Sequence, residues 1–185
     1  MAYLASHFIN SPVYIYDENN NLITCTTVTG YSSDEMYIEV PKGATNIKLR
    51  TRLHILIIHS AGASEFSGSL RSVRQGLYEI SIYGEQQREG RTADRRTLNT
   101  SAMISDMVTD SGANELQTPI PTMLENISAT GVLVKIENIR INIGTFLQIE
   151  FNIIGKEVVL YGEVVRECML DDHTFEYGCQ LHFLN

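Results

Sequence analysis

The sequence is short of positive charge: 14 Lys and Arg stand against 22 Asp and Glu, a formal net charge of -8. A chain this acidic is repelled by duplex DNA and by anionic lipid, which argues against a general nucleic-acid or membrane-surface protein. It also lacks long hydrophobic runs. The longest, Leu53 to Ile58, is interrupted by His54, far below the roughly 18 residues that span a bilayer. The opening MAYLASHFINSPVYIY has neither a basic start nor a long apolar stretch, so no secretory signal is expected and the reading is a cytoplasmic protein. There is no tryptophan, and the three cysteines (Cys25, Cys168, Cys179) form no C-x-x-C pair. They read as reduced, small, buried hydrophobes, although Cys168 and Cys179 have the spacing to face each other across a hairpin. Catalytic signatures are missing too: no G-x-S-x-G, no phosphate loop and no H-E-x-x-H. The five histidines are scattered, and His54 and His59 fall on opposite faces of one strand, a poor metal pair. No enzyme, no metal site and no cofactor is expected.

What the chain does have is valine, isoleucine, threonine and tyrosine, which favour strands. Seven strand-like runs separated by turn residues fill the first half: Pro12–Tyr16, Leu22–Val28, Met36–Val40, Ile47–Arg50, Leu53–His59, Glu65–Val73 and Leu77–Tyr83. Asp17 to Asn21 and Arg74-Gln75-Gly76 supply two of the turns. The segment from Gly84 to Arg96 is then polar throughout, with no period that faces a core. A second strand series follows: Ala102–Val108, Ile120–Ile127, Val132–Ile136, Phe146–Ile153, Glu157–Glu167 and Phe175–Phe183, with Ala113 to Gln117 free to make one helical turn. By strand period Val158, Leu160, Gly162, Val164 and Arg166 share one face. The expected fold is all-β: two small antiparallel β-barrels joined by an Arg-rich linker, over 1–84, 85–98 and 99–185.

The linker holds Arg88, Arg91, Arg95 and Arg96 within nine positions. Two readings stand. Either these arginines pair with Glu85, Glu89 and Asp94 on a solvated segment, or they form an anion clamp that a phosphate ligand orders. Arginine suits the second reading, because its planar fork matches phosphates and base edges and stacks on purines. Further on, Asn126-Ile127-Ser128-Ala129-Thr130-Gly131 lies at the seam of two strands. It is either a plain Asx-type turn or a set of short polar groups aimed at a ligand, with Gly131 allowing a tight backbone or a positive φ.

Together the two segments resemble the signature of the PilZ domain, Arg-x-x-x-Arg followed by Asp/Asn-x-Ser-x-x-Gly. The first element is Arg91-Thr92-Ala93-Asp94-Arg95 and the second Asn126 to Gly131. Tyr177 to Phe183 is similar to the family's closing strand, and the likeness spans about residues 88–185. The preceding half, through Glu65 to Leu70 and Tyr78 to Tyr83, resembles the N-terminal barrel of flagellar-brake-type members. The resemblance implies a six-stranded second barrel that binds the bacterial messenger cyclic di-GMP. It implies that Arg91 and Arg95 wrap the ligand, that Asn126 reads a guanine edge, that Ser128 donates to a phosphate or base, and that Gly131 lets the backbone come close. Arg88 and Arg96 are additional candidates. On this reading the ligand changes the arrangement of the two barrels and signals to a protein partner in motility, polysaccharide synthesis or adhesion. The alternative is a degenerate PilZ module that binds partners without the nucleotide; the two intact motifs speak for binding.

Overall fold

The computed structural model describes residues 7–41, 47–59, 62–85, 95–109 and 112–182. All its regular elements are strands: β1 (Pro12–Tyr16), β2 (Leu22–Tyr31), β3 (Glu35–Glu39), β4 (Arg52–His59), β5 (Gly62–Arg74), β6 (Leu77–Glu85), β7 (Arg96–Thr109), β8 (Gly112–Ile127), β9 (Gly131–Glu137), β10 (Phe146–Ile153), β11 (Lys156–Met169) and β12 (Thr174–Leu181). They close into two six-stranded antiparallel barrels, in the orders β1-β2-β3-β6-β5-β4 and β10-β11-β12-β9-β8-β7. The chain divides into two compact units accordingly. Closure leaves no open sheet edge along the barrel wall, which protects short, β-rich strands from pairing with other chains.

Each barrel is filled from alternate positions. In the first, Val13, Ile15, Val28, Met36, Ile38, Leu53, Ile57, Leu70 and Ile80 are fully buried, and Phe8 closes the cluster with edge-on contacts to Tyr31, His59 and Phe66. In the second, Ile104, Leu124, Val134, Ile149, Val164 and Tyr177 play that part. Burying such side chains contributes about 1.5–3 kcal/mol each. The β5–β6 hairpin turns through Gln75 and Gly76, both with positive φ (49° and 78°). That geometry matches the strand twist and favours glycine at its second position.

Several expectations are corrected. The first barrel has six strands rather than seven runs: Ile47–Arg50 is not a strand but leads into a turn, with Arg50 at φ 65° and its N–H bonded to the Leu70 carbonyl at 2.8 Å. Ala113 to Gln117 is strand, part of a β8 that pairs with β7 back to Gly112. Cys168 lies opposite Glu176 and Cys179 opposite Val164, so the two cysteines do not face each other, and all three are free. The expected linker, 85–98, lies mostly outside the described residues; its ends are strand, Glu85 closing β6 and Arg96 opening β7. No helix among the described residues is long and apolar enough to cross a membrane.

Candidate functional site

The second barrel carries an open groove of about 950 Å³ on its outer wall, lined by Arg95 just ahead of β7, the end of β8, the β8–β9 turn, the start of β9, and β11 and β12. This is the size range of small-molecule sites. Two irregularities in the strands build it.

The first is in β8. Ile120, Thr122 and Leu124 face the core, so strict alternation turns Asn126 inward as well. Instead Leu124 pairs with Val134 and Asn126 with Leu133, the next residue along β9. Glu125 is therefore a bulge. Past it Ile127 is the buried residue, and Asn126 shares the outer face with Leu133. Burial raises the pKa of the Glu125 carboxyl, and the neighbouring Glu176 adds to the effect. The second irregularity is in β11: Val164 pairs with Cys179 and Arg166 with Gly178, which makes Val165 the extra residue. The expected common face of Val158 through Arg166 thus breaks at its end. Val164 points into the barrel and Arg166 lies exposed outside it. The physical reason is plain, since an unbulged strand buries a guanidinium beside Val164.

Between β8 and β9 the chain turns tightly. The Ser128 N–H donates to the Gly131 carbonyl at 2.8 Å, and its hydroxyl donates to the same oxygen at 3.3 Å. Ser128 is buried, and one of its roles is therefore to close the turn. Gly131 has no positive φ; what requires glycine is proximity, because a Cβ there sits 2.8 Å from the Cys179 carbonyl oxygen. Cys179 reaches the groove floor from β12, but its thiol points into the core and burial pushes its pKa up to about 12, so it is no thiolate nucleophile.

The structure thus brings Arg95, Asn126, Ser128 and Gly131 to one groove. Arg95 is exposed just ahead of β7. Arg96, by contrast, is buried within β7 opposite Ile127 and does not line the groove. Arg91 and Arg88 lie outside the described residues. Sequence reasoning missed Val165, Arg166 and Gln180, which line it too, with Leu133 and Gly178 between them and Asn126. A signal for Arg166 existed: an arginine falling on the inward period of a barrel strand marks a bulge. Among the described residues no group of His, Cys, Asp and Glu is disposed to hold a metal.

The model of the PilZ domain family matches residues 85–185. The chain belongs to the PilZ domain family. The match takes in the whole second barrel and both motifs, and the first barrel precedes it. No curated protein matches the chain. Among solved structures, similar chains include Klebsiella pneumoniae MrkH in complex with c-di-GMP (16% identity, 95% of this chain and 80% of that one, TM-score 0.36). Others are the Bacillus subtilis inhibitor of motility MotI/DgrA (16%, 96% and 89%, TM-score 0.39) and Escherichia coli YcgR in complex with c-di-GMP (12%, 95% and 76%, TM-score 0.36). At these overlaps the fold rests on the strand pairing described above and on the family match.

Proposed function

We propose that this PilZ chain is a receptor for cyclic di-GMP that acts by binding rather than by catalysis. The observation that carries the reading is convergence. Arg95 from one motif and Asn126, Ser128 and Gly131 from the other, some thirty residues away, line a single groove. The chemistry fits the ligand. Two phosphates and two guanines offer anionic oxygens, O6/N7 edges and flat faces. A guanidinium forks onto a phosphate or a guanine edge and stacks on a purine. Asn126 brings one acceptor and two donors without the charge that repels a phosphate.

In this reading Arg91 joins Arg95 in wrapping the ligand, and Arg88 adds a phosphate contact. Ligand capture orders the segment between the barrels, changes their arrangement, and alters the surface offered to a protein partner in motility, polysaccharide or adhesion machinery. The density of arginine in that segment supports this. Titration calorimetry with cyclic di-GMP is the test. Arg91→Ala and Arg95→Ala are each expected to weaken binding by about 1.5–3 kcal/mol, the range for hydrogen bonds to charged groups. Unchanged affinity in both, or no heat from the folded wild type at low salt, refutes the assignment.

A further inference from the structure

Neither signature motif reaches the far side of the groove, yet an arginine stands there. Arg166 is exposed, lines the groove, and has no hydrogen-bond or ion-pair partner among the described residues. Elsewhere on this barrel an exposed arginine is paired: Arg140 meets Glu167 at 2.9–3.0 Å. Its position results from two coordinated features. The Val165 bulge turns it out of the barrel, and its cross-strand partner is Gly178. A Cβ on residue 178 sits 3.4 Å from the Arg166 Nε and 3.5 Å from its Cβ, so the side chain lies across a position bare of side chain.

The pairing register puts Arg166, Gly178, Leu133 and Asn126 in one row across β11, β12, β9 and β8. Three strand spacings separate Asn126 from Arg166, about 14 Å. Leu133 forms an almost buried apolar floor midway, and Val165, half exposed, adds apolar surface beside the arginine. A flat platform with a polar reader at one end and a planar cation at the other suits a ligand with two aromatic groups. It does not suit a single phosphate.

We propose that Arg166 is a direct ligand-contact residue, its planar guanidinium engaging the purine at the end of the groove away from Asn126. The inference rests on the cyclic di-GMP reading and extends it to a residue outside both motifs. The charge alone is insufficient in this assignment: lysine keeps the positive charge and a similar stem but loses the fork and the flat face.

The test is calorimetric titration of the full chain with cyclic di-GMP for wild type, Arg166→Ala, Arg166→Lys and Arg140→Ala, after circular dichroism has shown each to be folded. Arg166→Ala and Arg166→Lys are each expected to weaken binding at least tenfold. Arg140→Ala removes the same charge from the same barrel away from the groove and is expected to stay within twofold. Equal losses in Arg166→Ala and Arg140→Ala overturn the contact in favour of long-range charge. So does full affinity in Arg166→Lys, which leaves a point charge only. A wild type that does not bind at all strikes the receptor reading itself, whereas a binding wild type with an indifferent Arg166→Ala strikes only this inference.

Discussion

His59 shows how a single side chain sets a condition on the first barrel. It ends β4 facing the core, its Nε2 bonded to the Ser64 hydroxyl at 3.2 Å and its ring edge-on to Phe8. Its Nδ1 is buried without a hydrogen-bond partner. Burial, with a smaller contribution from His7, lowers its pKa from 6.5 to about 4. The folded barrel therefore refuses a proton that the unfolded chain accepts. Stability from this group is full above pH 6.5 and is lost as pH falls from 6.5 toward 4, by up to about 3 kcal/mol. The measurement is denaturant unfolding of wild type and His59→Gln across pH 4 to 7. The difference between the two curves is expected to shrink or reverse with acid; a difference that stays constant across that range refutes the role.

At the scale of elements, one of the described hairpins departs sharply from turn chemistry. The β10–β11 turn passes through Ile154 and Gly155 at φ 48° and 78°, the geometry in which Asn-Gly is favoured. Isoleucine is β-branched and crowded at positive φ, and Ile154 is half exposed, so little packing offsets the strain. Ile154→Asn is expected to stabilise the second barrel by about 1 kcal/mol, read as a higher melting temperature; an unchanged or lower value means that Ile154 packs better than its exposure suggests. The same contrast between rule and exception governs what was legible in the sequence. Alternation is a backbone property, so β1, β6, β9, β10 and β12 stand close to where period-two counting puts them. Bulges are not visible to such counting. Glu125 and Val165 each shift the phase by one residue, and they are what turn Asn126 and Arg166 outward. The motifs were readable because their residue types carry the chemistry, while Arg166 and Gln180 come from strands whose lateral neighbours only the closed barrel brings together. Arg96 went the other way. It sits beside Arg95 in sequence, but entry into β7 reverses its side and buries it.

For the whole molecule, the arrangement into two closed barrels predicts how it unfolds and what the ligand does to that process. Each barrel has a complete hydrogen-bonded wall and its own core, and each is large enough to fold cooperatively. The groove lies entirely within the second. A ligand that binds only the folded groove stabilises that barrel by RT ln(1 + [L]/Kd), about 2.7 kcal/mol at a hundredfold excess over Kd. In a unit of this size that raises a melting transition by roughly 10 °C or more. Calorimetry is therefore expected to resolve two transitions, of which cyclic di-GMP moves one. Gly131→Ala labels that transition independently. The added Cβ meets the Cys179 carbonyl at 2.8 Å, backbone that cannot yield cheaply, and should lower the same transition by about 1–3 kcal/mol. His59→Gln belongs to the other barrel and should move the other transition. If ligand and Gly131→Ala act on different transitions, the groove is not where the nucleotide binds. If a single transition responds to all three, the barrels unfold as one body and the ligand's effect reaches beyond the wall that holds it.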